Sequence, residues 1–128
     1  MRLLWTHRDV DAPATTVWRL LSDPAHWPTW GPTVRDAAFD GDRTMTTGAT
    51  GTVTTVVGVD LPFEITEVVD GRSWSWRVAG IPATSHTVEP TGDGRCRAGM
   101  GVPWAAAPYL GVCAIALHRI GVIATGAR

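Results

Sequence analysis

The chain has 128 residues and a formal net charge of -1 at pH 7, so we expect one domain large enough to bury a core without disulfides or metals. This charge balance argues against a nucleic-acid-binding surface and against binding to an acidic membrane. All 11 basic residues are Arg, which excludes Schiff-base chemistry at a lysine and, beside abundant Ala, Gly and Val, is typical of a GC-rich bacterial genome.

The cysteines and the apolar stretches predict a cytoplasmic protein without a membrane span. Cys96 and Cys113 show no motif spacing, so we interpret them as reduced, buried thiols. Charged residues at 8–9 follow the N-terminus closely, so no signal-peptide core is expected. The uncharged stretch 104–117 has only 14 residues, fewer than the ~20 that a spanning helix requires, and we predict a buried helix there.

The first quarter of the chain predicts a strand, two short helices and a return to strand. After a strand at 3–10, Pro13 stands at a helix start, where no backbone donor is needed. An apolar stripe at helical spacing follows, and a Ser-Asp-Pro stop at 22–24 ends it. Pro28 and Pro32 leave room only for a very short second helix. The stripe consists of Val17, Trp18, Leu20 and Leu21.

Turn residues divide the rest of the chain into six further strands and one helix. Gly-, Asp- and Pro-containing turns separate the segments, and a helix is expected from about residue 106 to 124. A long antiparallel sheet with one terminal helix must bury its apolar face under that helix, so the predicted fold class is α+β. The predicted strands are 33–39, 51–57, 63–69, 73–79, 84–90 and 95–102.

Motifs that carry a family resemblance are spread over nearly the whole chain. They are Val-Asp-Ala-Pro at 10–13, the segment 17–24, the Trp-rich turn 27–32, Trp-Ser-Trp-Arg at 74–77, and the segments 85–90, 91–95 and 116–120. They resemble the START-like, Bet v 1-like (SRPBCC) superfamily in its polyketide cyclase/dehydrase-like branch. The resemblance implies that residues 1–128 form one ligand-binding domain with a helix-grip fold, in which a curved seven-stranded sheet grips the last helix. The same scaffold serves enzymes, carriers and sensors, so it does not decide the function.

Strand alternation predicts which side chains face the interior. Trp74 and Trp76 share one face of their strand, and His86 shares parity with the apolar Val88, so it points inward. The last helix is rich in small residues, so wide aromatic walls could leave a void, or the Trp side chains could fill it; the resemblance favours a real cavity. The predicted ligand-binding residues are Trp27, Trp30, Phe63, Ile65, Trp74, Trp76, Val88, Met100, Cys113 and Leu117.

Two polar residues are candidates for catalysis. His86 has a near-neutral reference pKa that suits proton transfer, although the pattern favours a core histidine that is hydrogen-bonded to a neighbour. Tyr109, near the mouth end of the last helix, could orient a ligand or simply pack there. Alternation turns Arg77 outward. Glu67 shares parity with Ile65, which allows an inward carboxylate, but its place at the strand end favours exposure.

The chemistry of the chain leaves two functional classes open. No His/Cys/Asp/Glu cluster has metal-ligand spacing, and neither a nucleophile elbow nor a phosphate loop is present, so we expect no metal, no cofactor and no covalent intermediate. One class is a module that binds an aromatic, polyketide or lipid-like molecule between the sheet and the C-terminal helix. The other is an aromatase/cyclase that promotes aldol closure and dehydration by positioning. The scarcity of inward titratable residues favours binding.

The last helix also predicts self-association. Apolar residues lie on two of its sides, which is more than one sheet can cover. We therefore predict a homodimer through this helix. One stripe is Leu110, Cys113, Ala114 and Leu117, and the other is Tyr109, Val112, Ala116, Ile120 and Ile123.

Overall fold

The computed structural model describes residues 3–126, which form a seven-stranded antiparallel sheet that curls around a long C-terminal helix. The sheet order is β1-β7-β6-β5-β4-β3-β2. The predicted α+β helix-grip fold is confirmed. The strands are β1 (Leu3–Val10), β2 (Val34–Phe39), β3 (Thr50–Thr55), β4 (Asp60–Val69), β5 (Ser73–Val78), β6 (Ile81–Gly92) and β7 (Arg95–Pro103). The helices are α1 (Ala14–Ser22), α2 (Trp27–Trp30) and α3 (Leu110–Gly126), with 3₁₀ segments at Pro24–His26 and Trp104–Tyr109.

The two N-terminal helices are tied together by tryptophan side chains. Pro13 precedes α1 with an extended backbone, and Asp23 accepts the backbone N–H of Ala25 at 3.0 Å, which caps the 3₁₀ segment. The indole N–H groups of Trp27 and Trp30 donate to the carbonyls at the end of α1, each at 2.8 Å. These bonds satisfy carbonyls that a helix end leaves without partners, so α1 and α2 behave as one unit on the sheet.

Two strands begin earlier than the sequence predicts. β4 begins at Asp60 and β6 at Ile81, whereas residues 63 and 84 are the expected starts. Pro62 and Pro82 lie in the first residues of these two strands. In the sequence they suggest turns, because a proline has no N–H to donate to a neighbouring strand. A proline keeps its carbonyl, however, and that of Pro62 accepts the N–H of Ala79 at 2.8 Å.

A register shift in the sheet decides the orientation of a carboxylate. The pairing of β4 with β5 shifts between Ile65 and Glu67, as happens where a β-bulge inserts an extra residue. Past this point Val68 packs against the core and Glu67 is exposed. Glu67 is thus exposed, as its place at the strand end predicts, and the bulge overrides the inward parity that it shares with Ile65. Arg77 is exposed as expected and lies 4.0 Å from Glu64.

The last helix starts later than predicted. Residues 104–109 form a 3₁₀ segment, and α3 begins only at Leu110. Pro108 lacks the N–H that would bond four residues back, and Ala106 has non-helical dihedral angles of φ -105° and ψ 25°. The chain therefore enters α3 through an irregular segment.

One face of α3 is buried in the core, while apolar side chains on its other faces are exposed. The segment Trp104–Gly126 has 23 residues and is, by length and composition alone, apolar enough to cross a membrane; it is longer than the uncharged stretch considered above. A helix in the core of a globular fold passes the same test, and six residues of α3 are buried in this fold. Ile115 and Val122 are exposed, and the homodimer stays a prediction. The buried residues are Cys113, Ala116, Leu117, Ile120, Gly121 and Ala124.

Gly51 provides a test of how closely the core is packed. It pairs with Phe39 on one side and Phe63 on the other. A Cβ at Gly51 would overlap the carbonyl oxygen of Ala38 and lie 2.5 Å from Cζ of Phe63. We expect Gly51→Ala to lower the free energy of unfolding in urea by roughly 1–3 kcal/mol, the usual effect of overpacking.

Gly111 offers the matched control. It lies in the first turn of α3 with no atom within 4 Å of its Cβ position. Gly111→Ala should leave the free energy of unfolding unchanged or raise it by up to about 1 kcal/mol. Equal destabilisation by both substitutions would contradict the packing of Phe63 over Gly51.

Candidate functional site

Two adjoining spaces lie inside the curl of the sheet, the inner one against α3 and the outer one against the 3₁₀ segment that precedes α3. The outer cavity has a volume of about 350 Å³ and lies at the end of the sheet where β3, β5 and β7 finish. The inner chamber has a volume of about 40 Å³ and reaches toward the middle of α3. Both are lined by Thr33, Val34, Trp76, Thr84 and Tyr109. The two spaces adjoin along these five residues, of which Tyr109 is exposed at the surface.

The inner chamber is small because aromatic rings fill the deep half of the interior. Trp74 lies between two rings, stacked on Trp27 at a centroid distance of 5.0 Å and on His86 at 3.8 Å. Phe63 and Trp76 pack edge-on or tilted against Trp27 at 5.6 and 5.2 Å. Aromatic pairs prefer such offset and edge-to-face arrangements. The interior is therefore solid in its deep half and open only toward the mouth.

A chain of hydrogen bonds runs along the boundary and ends at His86. The indole N–H of Trp76 donates to Oγ1 of Thr84 at 2.9 Å, and Oγ1 of Thr84 lies 2.9 Å from Nε2 of His86. Nδ1 of His86 lies 3.2 Å from the carbonyl oxygen of Trp74. A carbonyl can only accept, so Nδ1 carries the hydrogen and Nε2 accepts from the Thr84 hydroxyl. Both nitrogens of the neutral ring are thus satisfied.

His86 is uncharged at neutral pH. Its side chain is buried, and burial lowers the pKa of the imidazole from 6.5 to about 3, opposed in part by the bond to the Trp74 carbonyl. A low dielectric environment disfavours the charged form of a base. A group with such a pKa is a poor proton acceptor at pH 7.

Tyr109 lies at the mouth, where its hydroxyl pairs with that of Thr33 at 2.9 Å. Two hydroxyls carry two hydrogens, and their mutual bond uses one of them. The other hydrogen remains for an acceptor in the cavity. Thr55 lies nearby in the lining, accepts the N–H of Val59 at 3.2 Å and keeps its own hydrogen to donate. The mouth therefore offers neutral hydroxyl donors.

The indole of Trp74 has a buried donor that nothing in the described chain satisfies. Its Nε1 has no hydrogen-bond acceptor among residues 3–126. An unmet buried donor costs about 1–3 kcal/mol. Trp74 also lines the inner chamber, so this cost lies beside the candidate site.

The predicted ligand-binding residues divide into two groups. Six of them line the inner chamber, whereas Phe63, Ile65, Val88 and Leu117 are packed in the core and line neither space. The six are Trp27, Trp30, Trp74, Trp76, Met100 and Cys113. Burial raises the pKa of the Cys113 thiol to about 11, so it is a neutral apolar wall rather than a nucleophile.

Sequence reasoning missed most of the outer cavity. Its walls are largely side chains next to turns, which strand patterns assign least clearly. Parity alone points to four of them, because Leu61 shares a face with Phe63 and Val78 with Trp76. Likewise, Thr84 shares a face with His86 and Val102 with Met100. The lining residues that were not predicted are Thr33, Val34, Val53, Thr55, Leu61, Val78, Pro82, Ala83, Thr84, Val102, Pro103 and Ala106.

The chemistry available to the site is that of neutral groups. No Asp, Glu or Arg lines either space, and within residues 3–126 no three His, Cys, Asp or Glu side chains lie close enough to hold a metal ion. The arrangement can desolvate an apolar molecule and donate hydrogen bonds from hydroxyls.

The curled sheet, the gripped helix and the space between them define a protein of the START-like, Bet v 1-like superfamily. The family described as "Polyketide cyclase / dehydrase and lipid transport" matches residues 3–116. The chain belongs to this family. No curated protein matches it by sequence.

Solved structures with the same fold have distant sequences. XoxI of Bacillus cereus superposes with a TM-score of 0.74 at 14% identity, covering 98% of this chain and 96% of that one. Protein Ms6760 of Mycobacterium smegmatis gives 0.65 at 23% identity, covering 98% and 92%. A norcoclaurine synthase point mutant of Thalictrum flavum, in complex with a transition-state analogue, gives 0.64 at 16% identity, covering 98% and 94%. At these identities the likeness shows the fold alone.

The burial of His86 predicts a distinct pH dependence of stability. The unfolded imidazole binds a proton below pH 6.5, whereas the folded one does so only near pH 3. The contribution of the neutral, buried imidazole to the free energy of unfolding is therefore complete above pH 6.5, and it is lost as the pH falls toward 3. Between pH 7 and 5 the free energy of unfolding of the wild type should fall by about 2 kcal/mol more than that of His86→Gln.

His118 supplies the control, because it lies exposed on α3. His118→Gln should keep the steep wild-type dependence in urea unfolding series at each pH. If the free energy of unfolding had the same pH dependence in the wild type and in His86→Gln, the burial of a neutral imidazole would be contradicted.

Proposed function

We propose that this protein binds an uncharged, hydrophobic small molecule in the outer cavity, with its apolar body against Val34, Leu61 and Val78 and its polar atom at the mouth. The observation that carries the proposal is the lining, which is apolar apart from hydroxyls and includes no Asp, Glu or Arg. Pockets for small molecules combine mostly apolar walls with a few placed polar groups. A charged ligand would lose its hydration here without a partner.

The volume limits the ligand. About 350 Å³ is at the lower end of the ~300–1,000 Å³ range for drug-sized ligands. A cavity of ~150 Å³ holds one benzene molecule, so this space suits a molecule of about two rings. Within the aromatic, polyketide or lipid-like class, the cavity favours a short bicyclic compound over a long chain.

The polar groups predict the orientation of the ligand. The pair of Thr33 and Tyr109 has one hydrogen left to donate, and the Thr55 hydroxyl has another. A carbonyl or ether oxygen of the ligand would meet donors at the mouth, with its rings directed toward Trp76. Trp76 itself is held by its bond to Thr84.

A pair of matched probes tests the proposal. 1-Tetralone is a bicyclic ketone, and tetralin is the hydrocarbon of the same shape. Binding of each to the purified protein is measured by quenching of tryptophan fluorescence and by calorimetry. We expect both compounds to bind, and 1-naphthoate to bind far more weakly because of its charge. The substitution Ala106→Phe narrows the cavity and should weaken the binding of all three compounds. Absence of binding by both bicyclic probes would refute the assigned cavity.

The substitution Tyr109→Phe tests whether the Tyr109 hydroxyl orients the ligand or whether the ring only packs against it. Loss of the hydroxyl should lower the affinity for 1-tetralone by roughly 3- to 10-fold, the usual contribution of one neutral hydrogen bond. The affinity for tetralin should not change. Equal effects on both ligands would show that Tyr109 acts only through packing.

Native mass spectrometry of the protein from its own host would identify the natural ligand. A co-purifying molecule of about two rings, extracted and characterised, would supply its chemical class. An exclusively long-chain lipid in the complex would contradict the size limit given above.

A second candidate function is that of a polyketide cyclase/dehydratase, which the family description favours. The structural neighbour from Thalictrum flavum is also a synthase. Catalysis would rest on positioning in the cavity, with the Tyr109 hydroxyl as a proton donor and His86 as a polarising group. The low pKa of His86 and the neutral lining weigh against it.

Substitution of His86 discriminates between the two functions. For an enzyme, His86→Ala should lower turnover of a poly-β-ketone analogue by orders of magnitude; for a binding protein, it should change only the affinity for 1-tetralone, and modestly. His86→Gln, which keeps more of the ring volume, guards against a loss caused by unfolding alone.

Location and self-association complete the proposal. Cys96 and Cys113 are buried and unpaired, which supports a reducing, cytoplasmic location. The homodimer through α3 would cover the exposed Ile115 and Val122. A monomer in sedimentation at tens of micromolar concentrations would refute the dimer.

A further inference from the structure

Large apolar side chains surround the mouth of the outer cavity on three separate segments. The β3–β4 turn carries three of them, the β5–β6 turn one, and the 3₁₀ segment before α3 another. Their exposed fractions lie between 49% and 81%. We call these residues the mouth patch: Val56, Val57, Val59, Ile81 and Trp104.

The lining of the cavity places the patch at its mouth. Thr55 and Leu61, which flank the β3–β4 turn, line the cavity, as do Val78 and Pro82 around the β5–β6 turn. Pro103, directly before Trp104, does so as well. The apolar surface of the patch is therefore continuous with the apolar wall of the cavity.

The patch carries no charge of its own. Residues 56–59, 79–82 and 103–109 include no Asp, Glu, Lys, Arg or His. The charges beside them balance: Arg35, whose guanidinium is 3.7 Å from the Cβ position of Gly58, and Asp60, which accepts a hydrogen bond from Thr54, carry one of each sign. Arg77, the cross-strand partner of Pro82, lies 4.0 Å from Glu64. The surface thus has no net charge with which to attract an anionic surface or a charged partner.

The shape of the patch favours a lipid bilayer over a protein surface as its partner. Val57 and Ile81 each adjoin a glycine with positive φ, Gly58 at 87° and Gly80 at 78°, so both project from tight turns. Separate turn tips do not make the flat, closely packed surface of a stable protein interface. Tryptophan is enriched where an apolar body meets the polar zone of a membrane.

We propose that the mouth patch inserts into the interfacial region of an uncharged, zwitterionic lipid bilayer. The cavity then opens into the acyl region, and an apolar ligand can pass between bilayer and protein without crossing water. Attachment comes from buried apolar area and not from headgroup charge. It does not require a bound ligand, so it can be tested separately from the proposed function.

The test measures co-flotation of the full chain, without ligand, with vesicles of pure phosphatidylcholine. We expect the wild type to bind with the same partition coefficient at low and high salt. The double variant Val57→Asp/Ile81→Asp should bind at least roughly tenfold more weakly, because two apolar tips become charged. The milder Val57→Ser should weaken binding less, and it keeps the test valid if the double variant folds poorly.

Val69→Asp is the matched control. Val69 is 51% exposed, similar to the patch residues, and lies at the far end of β4, nine residues, roughly 30 Å, along the strand from Asp60. This variant should bind vesicles like the wild type. Three results would each overturn the proposal: no flotation of the wild type, equal weakening by Val69→Asp, or binding that needs anionic lipid and disappears with salt. Sedimentation that shows a dimer abolished by the double variant would also overturn it, since a second copy would then cover the patch.

Discussion

The stacking of Trp27 on Trp74 joins the two halves of this fold. Trp27 belongs to the short α2, and its N–H bond to Leu21 also holds the end of α1. Trp74 belongs to the central strand β5 and is covered on its other side by His86. Through this one column the N-terminal helices, the sheet and β6 are kept in fixed relation, and α3 packs on a surface that is already shaped.

The same column decides where the site lies. Because aromatic rings occupy the deep half of the interior, free volume remains only toward the mouth, and Trp76 and Thr84 form its floor. The hydrogen bond that holds the Thr84 hydroxyl uses Nε2 of His86, and the carbonyl of Trp74 uses Nδ1. The polar groups of the interior thus maintain the shape of the cavity, while the hydroxyls of Thr33, Thr55 and Tyr109 remain to meet a ligand.

Alternation and turn chemistry were sufficient to predict seven strands, the N-terminal helices and the inward orientation of Trp74 and His86. Parity alone did not settle Glu67, whose exposure was predicted from its place at the strand end; the bulge that reverses its parity depends on pairing with a distant strand. Alternation and turn chemistry failed for the start of α3, since the local signal of Pro108 is as compatible with a first helical turn as with a 3₁₀ segment. The division of the interior into two spaces could not be predicted from alternation or turn chemistry, because it depends on how the indole rings pack in three dimensions.

Trp76 stands between the two spaces and lines both. A smaller side chain there would join them into one deeper pocket, at the expense of the ring contacts that Trp76 makes with Trp27 and Phe63 and of its hydrogen bond to Thr84. Ligand length in this scaffold can therefore change by a single replacement of an aromatic side chain. Such a step gives evolution, or an engineer, access to longer molecules without rebuilding the sheet.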